Sequence, residues 1–169
     1  KGKSQVLILG GNNENSVLAP EFNNKRVCGR SIISPPITSN FKVSTISSYS
    51  AYFDHSVIIT EEGLIFGIGL NENHEIVKSL PHNVIGEYTK FDLRNAKRRK
   101  LHPISAFCGS DFTLYMVSMS ENSGEKVTLA STFYDIKTVS PLFLNIGNKT
   151  PIAIYGGLLN SAAINNDGS

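Results

Sequence analysis

Tryptophan is missing from this chain and cysteine is scarce: of 169 residues only Cys28 and Cys108 carry a thiol. Two cysteines make neither a disulfide framework nor a zinc site with ligand spacing, and a reduced compartment, nuclear or cytoplasmic, is the expected location. Long apolar runs are lacking too. Stretches such as SVIIT and PIAIYGGLL fall far short of a membrane span. The basic start KGKSQVLILGG has too short an apolar stretch, and no small-residue cleavage site, for a secretory signal. No membrane association is expected. Nor does charge of one sign dominate: 16 Lys and Arg stand against 14 Asp and Glu, a net +2. That excludes a globally basic nucleic-acid binder and leaves room for a local patch. The chain opens within an apolar run and closes on the turn-like NNDGS, so a piece of a longer protein is expected.

Helix signals are weak throughout. Val, Ile, Thr, Phe, Tyr and Ser fill short apolar stretches, and Gly, Asn, Asp, Pro and Ser punctuate them. Strands are expected near 5–9, 43–48, 55–60, 64–68, 103–107, 112–118, 126–130, 142–145, 151–155 and 160–164. One helix is expected in YTKFDLRNAKRRK, on a stripe of Phe91, Leu93 and Leu101. RSIISPPITSNF reads as a surface loop or outer edge strand, because proline cannot sit in a central strand. The fold class is all-β: a sandwich, a barrel or a propeller.

The apolar stretches repeat. SSYSAYFDHSVII, ISAFCGSDFTLYM and IAIYGGLLNSAAI align with a hydroxyl residue, Ser56, Thr113 or Ser161, opening each second strand. Two of these end in an acidic–glycine turn, at Gly63 and Gly168; the middle one has SENSGE at Gly124. Positive φ in such hairpin turns suits glycine. Then follow VLILGGN, IFGIGLN and a decayed VTLASTF. Small residues at Ala51, Cys108 and Gly156 are expected to let first strands crowd together, and the hydroxyls to satisfy backbone groups. A hairpin cannot bury both faces alone, so each unit must lean on its neighbours.

This order of residues resembles the repeat of the regulator of chromosome condensation (RCC1) family. By position, Gly10 and Asn12, then Gly69 and Asn71, match the glycine and asparagine after that repeat's inner strand; Gly109 and Gly157 match its mid-repeat glycine. His55–Ser56 matches its histidine–serine, and Glu62–Gly63 and Asp167–Gly168 match its acidic–glycine turn. Leu9 and Ile68 stand where the family often has tryptophan. The resemblance implies part of an RCC1-like β-propeller: a single domain over 1–169 built of about three four-stranded blades, with approximate repeats 1–60, 61–120 and 121–169. Further blades, from the parent chain or a second polypeptide, would complete the ring. It also implies a protein-binding scaffold. The best-known activity of the family is guanine-nucleotide exchange on a small nuclear GTPase with chromatin binding, and other members regulate ubiquitin-ligase or signalling proteins. Neither a catalytic residue nor a cofactor is implied.

The competing reading is a nucleotide enzyme using the Gly–Asn loops. A dinucleotide fingerprint needs a strand, three spaced glycines and a helix. LILGGNNENSVLAPEF lacks the third glycine and runs into Pro20; FGIGLNENHEIVKSLP fails similarly at Pro81. The sequence FDHS suggests a triad, but neighbours on one strand point to alternate faces, so Asp54, His55 and Ser56 cannot converge. Cys108, in an apolar stretch, reads as an inert buried thiol. One concentrated charge feature remains. Lys90, Arg94, Lys97, Arg98, Arg99 and Lys100 surround the lone acid Asp92, where the repeat accepts insertions. Such a cluster suits DNA or chromatin phosphates, an acidic protein patch or a nuclear-localisation segment, or is a solvated loop.

Overall fold

The computed structural model describes residues 6–9, 30–33, 46–52, 54–81, 84–94, 101–121, 124–132, 142–143 and 147–169. Every regular element among them is a strand: β1 (Val6–Leu9), β2 (Arg30–Ile33), β3 (Ile46–Tyr52), β4 (His55–Thr60), β5 (Ile65–Leu70), β6 (Val84–Phe91), β7 (His102–Cys108), β8 (Thr113–Glu121), β9 (Gly124–Ser131), β10 (Leu142–Phe143), β11 (Pro151–Gly156) and β12 (Ser161–Asn165). The chain is all-β. All pairings are antiparallel, and the strands follow one another in sequence order. The first full sheet is β3-β4-β5-β6, the second β7-β8-β9-β10; β1-β2 and β11-β12 are separate two-stranded ladders. Among the described residues two sheets are thus four-stranded, with a strand pair on either side in sequence.

Burial explains why these segments are strands. Every residue of β4, HSVIIT, is buried, as are the first five of β5. A β-branched run of strand length with both faces covered has no other compact solution. Alternation then splits the core in two. Val57 and Ile59 join Ile65, Phe91, Tyr115, Val117 and Ala130 between the two full sheets, while Ile58 joins Phe66, Ile68 and Tyr88 on the opposite face. A third cluster, Leu114, Met116 and Leu129 with Phe107, Ile154 and Ala163, joins the second sheet to β11-β12. Each fully buried Val, Ile or Phe contributes roughly 1.5–3 kcal/mol of transfer free energy, so stability resides in these sheet-to-sheet layers.

First strands meet closely. The Cys108 N–H donates to Ser50 Oγ at 2.8 Å and its thiol to the Ser50 carbonyl at 3.4 Å, tying β7 to β3. At the next junction Gly156 lies against the Phe107 ring where a Cβ would overlap it, and Ser110 N–H donates to Leu158 C=O at 2.9 Å.

Over 88–94, the described part of the helix expected at 88–100, no helix forms. Tyr88–Phe91 belong to β6, and 95–100 lie outside the described residues. Phe91, Leu93 and Leu101, the stripe that suggested a helix, are instead core residues of one cluster, contributed by the end of β6 and by the chain on either side of 94–100. Both faces of β6 carry buried residues, with Ile85 and Phe91 between the full sheets and Tyr88 in the opposite layer, and its ladder to β5 is irregular where Gly67 pairs Thr89 and Gly69 pairs Ile85. Gly124, expected in a turn, instead opens β9 opposite Glu121.

The β4–β5 turn and the turn after β12 are alike. Gly63 N–H donates to Thr60 C=O and Gly168 N–H to Asn165 C=O, each at 2.9 Å, with φ of 72° and 82°. Gly69 is different: its φ is 104°, and an added Cβ would overlap the Asp54 carbonyl oxygen and His55 Cα. Substitution should therefore separate the two cases. By equilibrium urea denaturation, Gly63→Ala, which faces open space, is expected to cost about 1–2 kcal/mol from φ alone. Gly69→Ala is expected to cost at least ~3 kcal/mol, because it adds backbone overlap that the turn cannot relieve.

Candidate functional site

The second Gly–Asn segment closes around its own asparagine. Asn71 is fully buried at the end of β5. Its Oδ1 accepts from the N–H groups of Ile76 and Val77 at 3.0 and 3.1 Å; its Nδ2 donates toward the carbonyls of Val77, Leu80 and Pro81 at 3.1, 3.4 and 3.0 Å. One amide therefore serves five backbone groups of the 71–81 loop. A loop buried among side chains must satisfy its backbone polar groups internally, and Asn71 does this where water cannot. A phosphate cradle needs N–H groups directed at a ligand. Here the N–H groups of Ile76 and Val77 are directed at Asn71. Gly10 and Asn12, the matching pair in the first segment, lie outside the described residues.

The far side of this loop is held by the second sheet. The Glu75 carbonyl accepts from Thr113 Oγ1 at 2.7 Å and Thr132 Oγ1 at 3.0 Å, and the Ile76 carbonyl from the Tyr115 hydroxyl at 2.8 Å. His55 Nε2 lies 2.9 Å from Thr113 Oγ1. Since the Thr113 proton goes to Glu75, the histidine donates through Nε2–H. The pair is thus oriented opposite to a base-activated nucleophile, which would hand its proton to the ring. Glu75, also buried, turns its carboxylate back to the Asn73 N–H and side-chain amide at 3.0 and 3.1 Å. Burial holds the His55 pKa down from 6.5 to about 4, with the Phe112 backbone opposing. Burial likewise pushes the Cys108 thiol up to about 12, with bonds to Ser50 and Thr113 opposing. A thiol so placed is no nucleophile near neutral pH.

The remaining repeat positions sort by location. Ser56 and Thr113 are fully buried at the start of β4 and β8, whereas Ser161, at the start of β12, is exposed. Gly109 and Gly157 open four-residue hairpin loops of one geometry, donating to Phe112 C=O at 2.8 Å and Asn160 C=O at 2.9 Å. The residues that sequence reading missed are Ser50, Glu75 and Thr132. Two of them act wholly or partly through main-chain carbonyls, which leave no side-chain signature.

The chain is fixed in the core on either side of the basic segment. Leu93 and Leu101 are both 1% exposed, and Leu101 N–H donates to Leu93 C=O at 2.9 Å, closing the chain on either side of 94–100. Lys90 lies on β6, part-buried; Arg94 is exposed, 3.3 Å from the Asp92 carboxylate. Such a surface pair contributes well under ~1 kcal/mol. Lys97, Arg98, Arg99 and Lys100 lie outside the described residues. The structure thus fixes Leu93 and Leu101, the two residues between which these four lie in sequence.

No family model and no curated protein matches the chain. Among solved structures, the crystal structure of human WBSCR16 is similar, with a TM-score of 0.66 at 12% sequence identity. That likeness covers 96% of this chain and 45% of the other, so the chain spans less than half of that structure's length. At this identity the similarity is one of fold alone, an arrangement of antiparallel sheets.

Two outcomes test the junction. A histidine held neutral by the fold must gain its proton on unfolding, so stability is whole above pH 6.5 and falls as pH drops toward 4. The span corresponds to roughly 3 kcal/mol. His55→Gln, which keeps a donor near the Nε2 position, is expected to be less stable than the parent at pH 7. Denaturant titrations between pH 7 and 4.5 should show that gap narrowing as pH falls. Separately, Asn71→Ala leaves two N–H groups and three carbonyls without their partner. It is expected to cost ~3 kcal/mol or more in the same measurement.

Proposed function

We propose that this chain is a non-enzymatic, protein-binding scaffold of the RCC1 type, and that the basic segment from Lys90 to Lys100 is its contact with chromatin phosphates. The carrying observation is a contrast in how polar groups are used. Asn71, His55, Thr113, Tyr115 and Thr132 are committed to joining loop and sheets, while most of the cationic run lies in sequence between Leu93 and Leu101, whose backbone groups are hydrogen-bonded to each other. Groups consumed by the fold cannot also turn over a substrate. A cluster outside it can bind without altering it.

In its finer form the reading is a guanine-nucleotide exchange factor for a small nuclear GTPase, acting in the nucleus. Exchange requires no covalent step, only preferential affinity for the nucleotide-free GTPase. Regulation of a larger ubiquitin-ligase or signalling protein would use the same scaffold, since fold alone does not choose among partners.

The test replaces Lys97, Arg98, Arg99 and Lys100 together with glutamine. Stability is expected to change by no more than ~0.5 kcal/mol, as for surface substitutions outside a network. Affinity for duplex DNA should fall at least tenfold, and the slope of log affinity against log salt should become shallower by roughly 3 to 4. An unchanged slope removes the phosphate-binding reading. In parallel, release of fluorescent GDP from a small nuclear GTPase should accelerate when the chain is added; no acceleration removes the exchange reading and leaves the scaffold.

A further inference from the structure

His55 stands where the first full sheet, the second and the 71–81 loop meet. Its Nε2–H donates to Thr113 Oγ1, whose own proton goes to the Glu75 carbonyl. Cys108 pairs with Thr113 across the β7–β8 ladder, and its thiol donates to the Ser50 carbonyl of β3. Histidine, hydroxyl and thiol therefore share one junction, and all three residues are 0% exposed.

The second ring nitrogen leaves this junction incomplete. Nδ1 of His55 is buried and makes no hydrogen bond. While the ring is neutral, Nδ1 is an acceptor without a donor. Once the ring gains a second proton, Nδ1–H becomes a buried donor without an acceptor, on a ring that now carries charge away from water. The ionisable side chains bordering the junction are Tyr52 of β3, Asp54 next to His55, Glu75 of the loop, Cys108 of β7, Asp111 of the following loop and Tyr115 of β8. Glu75 turns its carboxylate to Asn73, and Asp111 accepts from the Ser110 hydroxyl. No carboxylate offsets the burial of the ring; the Phe112 backbone alone opposes it.

The path to water is short. The end of the β3–β4 hairpin is held by the Tyr52–His55 ladder pair and by Leu70 N–H, which donates to Asp54 C=O at 2.6 Å. The buried apolar residues of β4 begin only at Val57. Opening this end breaks few bonds and leaves the apolar layers together, the condition for a local rather than a global transition.

We propose that the His55–Thr113 contact is a proton-operated latch: protonation of His55 swings the Tyr52–His55 hairpin end out of the junction and bares the Cys108 thiol, while both full sheets stay folded. The latch is closed above pH 6.5, where a solvated imidazole is already neutral, and loosens as pH falls toward 4. Between those limits the linkage raises the open fraction roughly fiftyfold on going from pH 7 to 4.5.

The test follows labelling of Cys108 by dithiodipyridine in the whole chain carrying Cys28→Ser, each rate being divided by that of an unstructured cysteine peptide at the same pH. The corrected rate is expected to rise roughly fiftyfold from pH 7 to 4.5. It should respond little to urea below the unfolding transition, because a local opening exposes little surface. His55→Gln, which cannot take up the proton, should show no such rise. A corrected rate that ignores pH overturns the proposal, as does an equal rise in His55→Gln. So does a rise in the parent chain that steepens with urea as strongly as global unfolding, a reading that decides the matter even if the variant fails to fold.

Discussion

Within a stretch of chain that is neither helix nor strand, Asn71, Glu75, Ile76, Val77 and Leu80 are buried, and the rest of the molecule depends on how their backbone is satisfied. The 71–81 loop meets this constraint from two sides. Asn71 serves it from within through five contacts, and the hydroxyls of Thr113, Thr132 and Tyr115 serve it from the neighbouring sheet. Because those hydroxyls belong to β8 and the residue after β9, the loop of one sheet cannot be completed without the next. Cooperation between adjacent units is thus written in hydrogen bonds as well as apolar contact. Removing one partner of such a buried bond costs more than the bond itself contributes, since the other is left desolvated.

The same economy governs the first strands. They approach closely enough for a backbone N–H of one to reach a serine of another, as Cys108 does with Ser50, and for Gly156 to lie against Phe107. Two groups at these junctions, His55 and Cys108, are held in their uncharged forms by their surroundings. His55 stays neutral and Cys108 stays protonated because neither can carry charge away from water.

Much of this was legible in the residues and some was not, for identifiable reasons. β4, β5 and β8 could be read because both faces are covered, so the apolar stretch is continuous and of strand length. The opening hydroxyls Ser56 and Thr113 could be aligned because they stand in one register. The end of β6 reads as helix in the sequence because Phe91, Leu93 and Leu101 all enter one core cluster, which local spacing does not divide between a strand and the chain beyond it. The significance of Asn71 was visible only as a turn signal; that it holds a loop together depends on carbonyls up to ten residues away. Ser50 and Thr132 act across 58 and 57 positions of sequence, a distance over which no local pattern operates.

The Leu93–Leu101 closure bears on how this protein can vary. A clasp of one backbone hydrogen bond between two buried leucines fixes both ends of the segment that joins them. Doubling the length of such a closed loop costs only about 0.6 kcal/mol in chain entropy. Lengthening or recharging the joining segment is therefore expected to leave the clasp, and the sheets it borders, in place.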